Sequence, residues 1–325
     1  MKKALQVGLI GVGHFGRYHA LKLAGASRAT LVGLADTNPA RAREVAWEAG
    51  CPVKTVDELL AQAEAVIIAA PAEFHYEHAT RALKAGRHVL VEKPIAATME
   101  QADELISLAR QMGVVLQVGH LERFSAAHGA VSQRMGRPLY IEAVRIAPFK
   151  PRGTDVSVIL DLMIHDLDLI LALADSEVIS VDAVGAPVAS TLDDIANARI
   201  RFASGAVATI TASRISLKTE RKMRIFSQTG YLTVDFAARK LSLVGRGTGL
   251  KIPGFPEFGI EQAGWQDHDA LSAEHASFVS ACLDNAPVVV DGAAGKRALA
   301  AALMVSASIA ESRAMAEASG LIPKI

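Results

Sequence analysis

Gly11-Val12-Gly13-His14-Phe15-Gly16 stands at the end of a continuous apolar run, Leu5 to Val12, which is typical of a strand covered on both faces. The next residues, Phe15 to Ala24, predict a helix, and Ala29 to Ala35 predict a second strand that ends at Asp36. A strand, a G-x-G-x-x-G turn, a helix and an acid about twenty residues further on form the fingerprint of a dinucleotide-binding unit. The glycines permit a tight turn, the helix N-terminus attracts a pyrophosphate, and the acid accepts hydrogen bonds from the ribose.

Asp36 also indicates which dinucleotide is bound. Its carboxylate would repel a 2′-phosphate, so the sequence predicts NAD and not NADP. Arg41 and Arg43 are interpreted as the solvated face of the following helix. We expect the cofactor to contact the glycine turn and the later strand ends, at Gly11, Gly13, His14, Phe15, Gly16, Asp36, Thr37, Ala70, Pro71, His75, Glu92 and Lys93.

Strands and helices continue to alternate up to residue 121. We predict further strands at Pro52 to Thr55, Val66 to Ala70, His88 to Val91 and Val114 to Val118, with helices between them. This alternation is typical of an α/β fold, a doubly wound parallel sheet of the Rossmann type. Ligands of such sheets bind beyond the carboxyl ends of the strands, where the glycine turn and Glu92-Lys93-Pro94 would lie.

Lys93 is the candidate catalytic group of this first domain. A lysine that closes a buried strand beside a nicotinamide can polarise or deprotonate a substrate hydroxyl, because desolvation lowers the pKa of its amine. The alternative is a surface lysine paired with Glu92. His75 and His78 lie three residues apart on a predicted helix, but no Cys or carboxylate completes a metal site around them, so no metal is expected.

A second candidate device is Asp161-Leu-Met-Ile-His165-Asp-Leu-Asp168, inside the apolar run Val156 to Leu173. The run predicts one buried helix, on which residues three and four apart share a face. Charged groups on a buried helix need partners, so a carboxylate beside an imidazole suggests acid/base chemistry. Asp168 is interpreted as structural.

Composition excludes several classes of protein. The 325 residues exceed one ordinary core, and 51% hydrophobic with 21% charged residues indicates a globular protein. Lys+Arg and Asp+Glu cancel at 34 each, which disfavours nucleic acid and anionic membranes as partners. Two cysteines are too few for a disulfide framework, and the apolar run Ala298 to Ala310 is too short to span a bilayer. We expect a cytoplasmic protein.

The remaining chain, 122–325, predicts an α+β domain. Strands are expected at Leu139–Ile146 and at six places between Val181 and Val244, forming a largely antiparallel, open-faced sheet. Gly245 to Gly264 is interpreted as a Gly/Pro-rich loop, either a lid or a surface connection. The closing helix, about 293–318, is expected to pack back near the first domain, 1–121. The open sheet face predicts a homo-oligomer, a dimer or tetramer.

The ordered set of motifs resembles the Gfo/Idh/MocA oxidoreductase family. It consists of the glycine turn, Glu92-Lys93-Pro94, Asp161-x-x-x-His165 and Gln228-Thr-Gly230-Tyr-Leu-Thr-Val-Asp235. Within that family, Gln117-Val-Gly-His120-Leu-Glu-Arg123-Phe124 and the Asp161 to Asp168 stretch are most similar to bacterial nucleotide-sugar 3-dehydrogenases.

This resemblance implies NAD-dependent oxidation of a sugar secondary alcohol, the 3-hydroxyl of UDP-N-acetylglucosamine, as in lipid A diaminosugar synthesis. It implies that the catalytic residues Lys93, Asp161 and His165 surround the reacting hydroxyl. Because histidine suits acid/base work near neutral pH, we expect His165 to be the base with Lys93 assisting; Lys93 as the base is the alternative. The substrate-binding residues are expected to be His120, Arg123, Arg145, Lys150, Arg152, Asp161 and His165, the basic ones contacting the diphosphate. Alternatives are an inositol or simple-sugar dehydrogenase, a non-catalytic NAD-binding regulator, and a metal-dependent hydrolase.

Overall fold

The structure is a computed structural model that describes residues 4–150, 156–247, 249–266 and 268–323. Its strands are β1 (Leu5–Ile10), β2 (Ala29–Ala35), β3 (Ala65–Ile68), β4 (His88–Glu92), β5 (Leu116–Gly119), β6 (Pro138–Ile146), β7 (Val178–Ala186), β8 (Ile195–Phe202), β9 (Val207–Ser213), β10 (Glu220–Ser227), β11 (Gly230–Asp235), β12 (Lys240–Arg246), β13 (Leu250–Ile252) and β14 (Phe255–Gly264). Its helices are α1 (His14–Ala24), α2 (Pro39–Ala49), α3 (Val56–Gln62), α4 (His75–Lys84), α5 (Met99–Met112), α6 (Ala126–Ser132), α7 (Ile164–Ala174), α8 (Ala270–Asp284) and α9 (Gly292–Ala318). Short 3₁₀ turns cover Ala72–Phe74 and Leu121–Phe124, and a π-helical turn covers Ile159–Met163.

The chain divides into two compact units. The first consists of Met1–Phe124 and Asp269–Leu299, and the second of Ser125–His268 and Ala300–Ile325. The division after Phe124 lies three residues beyond the expected boundary at 121. The segment from Asp269 to Leu299, which carries the whole of α8, joins the first unit instead of the second.

The first unit is built on a parallel sheet with the strand order β2-β1-β3-β4-β5. Its strands carry near-continuous apolar runs because helices cover both faces of such a sheet, and Val7, Leu9, Ile67 and Leu90 are fully buried. The predicted strand at Pro52–Thr55 is wrong. This segment makes a single bridge, between Val53 and Leu34, so the sheet has five strands and not six.

Helix ends in the first unit follow from local side-chain chemistry. Thr55 caps α3 in a reciprocal capping box with Glu58, and Thr98 caps α5 by accepting a hydrogen bond from the backbone N–H of Gln101. Gly113 ends α5 in the left-handed conformation, with φ of 65°. The core includes Phe278 and Val279 of α8, which explains why that distant helix clusters with this unit.

The second unit contains a nine-stranded sheet with the order β13-β14-β12-β11-β10-β6-β9-β8-β7. Its neighbouring strands are antiparallel except for β6 and β9, which are parallel. The interpretation of Gly245 to Gly264 as a loop is wrong. Residues of this stretch form β13 and β14, and β14 pairs with β12 from Lys240↔Gly264 to Arg246↔Phe258.

The closing helix α9 has 27 residues and is long and apolar enough, by length and composition, to cross a membrane. Its packing explains the apolar composition differently. Val305 and Ile309 are buried in the second unit, and the Ser308 hydroxyl accepts a hydrogen bond of 2.9 Å from the backbone N–H of Ala183. The Ser312 hydroxyl donates one of 2.7 Å to the Ala183 carbonyl, so α9 is bound to β7 as a core helix.

Candidate active site

The glycine turn after β1 is packed so tightly that side chains have no room. Gly11 has φ of 85°, and a Cβ atom on it would lie 2.4 Å from the backbone nitrogen of Ala70. A Cβ atom on Gly16 would lie 2.0 Å from the carbonyl oxygen of Gly11. The bare backbone leaves the space that the pyrophosphate of a dinucleotide needs in order to approach the first turn of α1.

The N-terminus of α1 is suited to an anion. Gly13 is its N-cap, no side chain accepts a hydrogen bond from the first turn, and that turn contains no acidic residue. The first N–H groups of a helix have no partner inside the helix and carry a partial positive charge. Gly13 and His14 are exposed and Phe15 is half-buried, so the turn faces outward as the fingerprint predicts.

Asp36 lies at the end of β2, against this turn. Its Oδ2 atom accepts a hydrogen bond of 2.7 Å from the Val12 N–H, and its Oδ1 atom accepts one of 2.8 Å from the Asn38 N–H. Arg41 lies on the other side of the turn, where its Nε–H donates to the Val12 carbonyl at 3.0 Å. The interpretation of Arg41 as only a solvated residue is therefore wrong, since its guanidinium braces the glycine turn.

His75 ties two strand ends together. Its Nδ1 and Nε2 atoms lie 2.8 Å from the carbonyl oxygens of Pro94 and Ala70. His75 is 1% exposed, so it makes these contacts from the interior of the first unit. Pro71 is exposed and Ala70 half-buried at the same edge. His75 thereby holds the segment after β3 against the segment that follows Lys93.

Lys93 follows β4 at the carboxyl end of the sheet and is half-buried. Glu92 does not serve as its surface partner, because Glu92 is buried and its Oε1 atom lies 3.0 Å from Nε2 of His19. His120, after β5, is 1% exposed. Burial, followed by the positive charges of Lys93 and Arg123, lowers the pKa of His120 to about 3. A neutral imidazole therefore lies near the Lys93 ammonium.

In the second unit, the Asp161 to Asp168 stretch is not one regular helix. The turn Ile159–Met163 is π-helical, with the Ile164 N–H donating to the Ile159 carbonyl, and α7 continues from it. π turns are rare and occur often at functional sites. Asp161 lies on the π turn and His165 in the first turn of α7, and both are half-buried. Asp168 is 2% exposed.

Arg145, which is predicted to contact the substrate diphosphate, lies in a buried ion pair. It is 7% exposed, and its Nε–H and Nη2–H donate to the two carboxylate oxygens of Asp166 at 2.7 and 3.0 Å. A buried bidentate pair of this kind is structural, and it anchors the residue next to His165. Lys150 is exposed, as an anion-binding residue should be. Arg152 lies outside the described residues.

The structure thus gathers the predicted cofactor residues at one edge of the first unit and the predicted acid/base residues on one helical segment of the second. Three features escaped the sequence prediction: the Arg41 brace, the Arg145–Asp166 pair and the bridging role of His75. Only Arg41 had a usable signal, its position in the first turn of a helix that begins beside Asp36.

Comparison with known proteins places these features in context. Residues 5–120 match the family model described as the Gfo/Idh/MocA oxidoreductase family, NAD-binding Rossmann fold. Residues 124–233 match the model of the Gfo/Idh/MocA C-terminal domain.

Individual relatives cover nearly the whole chain. It is 44% identical over 307 residues to the UDP-N-acetylglucosamine 3-dehydrogenase of Acidithiobacillus ferrooxidans, covering 94% of this chain and 97% of the relative. The solved structure of that enzyme superposes with a TM-score of 0.89 at 43% identity, over 94% of this chain and 97% of the other. An inositol 2-dehydrogenase of Rhizobium meliloti is 29% identical, over 95% of this chain and 98% of the relative.

Proposed function

The chain belongs to the Gfo/Idh/MocA family of NAD-dependent oxidoreductases, and from this premise we propose that it oxidises the 3-hydroxyl of UDP-N-acetylglucosamine to a 3-keto sugar. The observation that carries the substrate proposal is the likeness, through both units, to an enzyme named for that dehydrogenation. The product would feed the diaminosugar branch of lipid A synthesis in the cytoplasm.

NAD, when bound, supplies the hydride acceptor. The bare glycine turn, the uncapped first turn of α1 and the Asp36 carboxylate are the groups that would hold it. One carboxylate oxygen of Asp36 accepts a hydrogen bond from the Val12 N–H, which holds the carboxylate beside the glycine turn, where the ribose would lie. His75 keeps the neighbouring strand ends together and so preserves the shape of this edge.

We assign the proton transfer to the imidazole of His165, which would accept the proton of the 3-hydroxyl. Histidine suits this step because its ordinary pKa lies close to neutral pH. Asp161, one helical turn earlier, would orient the imidazole or bind a neighbouring sugar hydroxyl. The Arg145–Asp166 pair fixes the backbone beside His165 and limits its movement.

Lys93 would donate a hydrogen bond to the reacting oxygen and stabilise the negative charge that develops on it. The nearby His120 ring is neutral and therefore adds no positive charge beside the Lys93 ammonium. Arg123, His120 and the exposed Lys150, together with Arg152, are proposed to contact the sugar and its diphosphate. We propose that Arg145 supports the site indirectly, since its Nε–H and Nη2–H donate to Asp166.

A side-by-side assay tests the substrate. NADH formation should be measured with UDP-N-acetylglucosamine, UDP-glucose, myo-inositol and glucose under identical conditions. Turnover confined to the UDP-linked amino sugar supports the proposal. Turnover of only the unphosphorylated polyols would replace it with an inositol or simple-sugar dehydrogenase, the class of the inositol 2-dehydrogenase relative. NAD binding without any turnover would instead indicate a regulator.

We also propose that a second copy of the chain covers the outer face of the large sheet. On β10, Met223 and Ile225 are buried while Lys222, Arg224 and Phe226 point the other way and are exposed. Phe226 stacks on Tyr231 with ring centroids 4.6 Å apart and lies 5.7 Å from Tyr140, which makes an aromatic row on the outer face. Sedimentation of the wild type and of Phe226→Asp tests this. The wild type should sediment as a dimer or tetramer and Phe226→Asp as a smaller species, whereas a monomeric wild type would contradict the proposal.

A further inference from the structure

Four titratable side chains meet inside the first unit, behind the strand end that carries Lys93. They come from three elements: His19 from α1, Glu92 from β4, and Glu274 and His275 from α8. His19 and Glu274 are 0% exposed, His275 is 4% and Glu92 is 8%. Neither the cofactor residues nor the acid/base pair includes His19, Glu274 or His275.

A chain of hydrogen bonds joins three of the four. Nε2 of His19 lies 3.0 Å from Oε1 of Glu92, and Nδ1 of His19 lies 2.8 Å from Nε2 of His275. Because a carboxylate only accepts, Nε2 of His19 is the nitrogen that carries the hydrogen toward Glu92. Nδ1 of His19 then accepts from the N–H of His275. Burial, and next the proximity of His19, lower the pKa of His275 to about 3, which agrees with a neutral ring.

Glu274 is the member without a partner. Neither of its carboxyl oxygens has a hydrogen-bond partner among the described residues, although both are fully buried. A ring nitrogen of His19, a carboxyl oxygen of Glu92 and a carboxyl oxygen of Glu274 lie within 4.8 Å of one another. Two carboxylates this close in a dry interior cannot both be ionised. Glu92 accepts the hydrogen bond from the imidazole, and Glu274 accepts none from a described residue, which makes Glu274 the candidate for the neutral acid.

The electrostatics support the same assignment. Burial, and then the charge of Glu92, raise the pKa of Glu274 well above its ordinary value. The segments around Glu274 carry these charged or titratable residues: His14, Arg17, Tyr18, His19 and Lys22 on α1, Glu92 on β4, Glu122 and Arg123 on the 3₁₀ turn, and Asp269, His275, Cys282 and Asp284 on the α8 segment. Lys22 pairs with Asp269 at 2.6 Å, at a partly exposed position, which leaves Glu92 as the charge that acts on Glu274.

The sheet is shaped to admit this cluster. Gly119 on β5 is the register partner of Glu92, and a Cβ atom on Gly119 would lie 2.6 Å from Oε1 of Glu92. A glycine at this position gives the carboxylate the room to reach His19. Lys93 is the first residue after β4, which ends at Glu92. The contact that holds Glu92 therefore holds the backbone from which Lys93 extends.

We propose that Glu274 is held as a neutral acid beside ionised Glu92, and that His19, Glu92, Glu274 and His275 form a buried quartet that positions Lys93 for the reaction. The quartet acts through Lys93, so its catalytic consequence rests on the proposed function. Ionisation of Glu274 would place two like charges in contact, displace the Glu92 carboxylate and thereby move Lys93. The quartet thus sets an upper pH limit on activity.

A divalent cation is the rival occupant of this position, since His and Glu donors at such spacing can ligate one. His19 opposes that assignment because each of its ring nitrogens already makes a hydrogen bond within the quartet. A cation would have to break one of these bonds. Plasma mass spectrometry of protein purified without chelator decides between the two. One equivalent of a divalent metal in the wild type, absent from Glu274→Gln, would overturn the proposal.

The main experiment compares Glu274→Gln, which imitates the neutral acid, with wild type. Glu77→Gln is the matched control, because the Glu77 side chain is 62% exposed in the same unit. The profile of kcat against pH should lose or shift its alkaline limb by about one pH unit or more in Glu274→Gln alone, while KM and the Kd of NADH change less than about twofold. An alkaline limb identical to that of wild type would overturn the positioning role.

A substrate-free readout separates this proposal from the proposed function. The folded state holds the proton of Glu274 at pH values where the unfolded state has released it. The stability that this difference provides is complete below about pH 4.5 and is lost as pH rises through the raised pKa of Glu274. The melting temperature of wild type should therefore fall more with rising pH than that of Glu274→Gln. Equal slopes would overturn the proposal even if the enzyme oxidises the nucleotide sugar.

A spectroscopic measurement on the wild type covers the case in which Glu274→Gln does not fold. A buried neutral carboxylic acid gives an infrared C=O band distinct from carboxylate bands, and it should persist at neutral pH. Absence of a protonated carboxyl band at pH 7 would overturn the assignment without any variant. Glu92→Gln, which removes the neighbouring charge, should lower kcat about tenfold or more through Lys93 with little change in the Kd of NADH.

Discussion

The Oδ2 atom of Asp36 accepts a hydrogen bond of 2.7 Å from the backbone N–H of Val12, so the acid that we propose selects the cofactor is bonded to the glycine turn that we propose binds its pyrophosphate. Arg41 holds the same turn through the Val12 carbonyl at 3.0 Å. An acid and a guanidinium are therefore both bonded to the backbone of Val12.

This pairing predicts a change of cofactor preference in Asp36→Ser. Loss of a charge-assisted hydrogen bond should weaken NAD binding by about tenfold or more, whereas NADP should gain because the carboxylate that repels a 2′-phosphate is gone while Arg41 remains at the same turn. The measurement is kcat/KM for both cofactors. Adding Arg41→Met should abolish the gain for NADP, and an unchanged preference in Asp36→Ser would contradict the assignment of Asp36.

The glycine turn predicts that an added methyl group is much more damaging at Gly16 than at Gly13. Gly16→Ala should destabilise the first unit and weaken NADH binding, because its Cβ atom would lie 2.0 Å from the Gly11 carbonyl oxygen. Gly13→Ala should lower the melting temperature of the cofactor-free protein much less, since no atom lies within 4 Å of its Cβ position. Differential scanning calorimetry compares them, and similar losses in both variants would refute this account.

Substitution of the proposed reacting groups should affect turnover more than binding. Lys93→Met and His165→Asn should each lower kcat by about 10²–10⁴-fold, the usual contribution of a positioned acid or base. The Kd of NADH, from fluorescence titration, should change much less. Lys84→Met, at an exposed position at the end of α4, is the control for a lost lysine charge. Near-normal kcat in both Lys93→Met and His165→Asn would refute the mechanism.

The Arg145–Asp166 pair makes a prediction about stability. Arg145→Met should lower the free energy of unfolding by about 3–5 kcal/mol, because Asp166 is left as an uncompensated buried charge. Adding Asp166→Leu should recover part of that loss. Urea unfolding measures both, with Arg81→Met as the control, since the exposed Arg81–Asp57 pair should contribute about 1 kcal/mol or less. No recovery in the double variant would argue against the ion pair as the cause.

Two buried histidines make the protein sensitive to acid. Burial comes first among the causes that lower the pKa of both His120 and His275 to about 3, against about 6.5 in an unfolded chain. Unfolding therefore takes up protons between these two values. The stability that the neutral rings provide is complete above pH 6.5 and is lost as pH falls toward 3.

The measurement is the slope of unfolding free energy against pH over that window. His120→Gln should reduce the slope by about one proton relative to wild type. His268→Gln, at an exposed position, should leave it unchanged. A slope in His120→Gln equal to that of wild type would show that His120 is not held neutral by the fold.

Local patterns predicted the cofactor half of the fold well. The apolar run into Gly11 and the acid after Ala35 are each encoded within a few residues, and the structure reproduces them. Long-range pairing was beyond such patterns. Gly245 to Gly264 has the composition of a loop, but the register of β14 on β12 supplies the hydrogen bonds that make it a strand.

The candidate site shows the same division. The positions of Asp161 and His165 were readable from the sequence, but the π turn beneath Asp161 was not, because it depends on how the helix packs. Arg145 has the sequence context of a substrate contact, and only the approach of Asp166 across the fold makes it structural. The Glu92–His19 contact joins residues 73 positions apart and has no local signal.

The contribution of α8 to the first unit has a consequence for how the protein is made. Phe278 and Val279 complete the core around β1, and His275 completes the hydrogen-bond chain of His19 and Glu92. During synthesis the first 124 residues leave the ribosome long before α8 exists. The first unit is thus among the last parts of the protein to fold completely. Until α8 has been synthesised, the core around β1 is incomplete and the Glu92–His19 pair lacks its His275 partner.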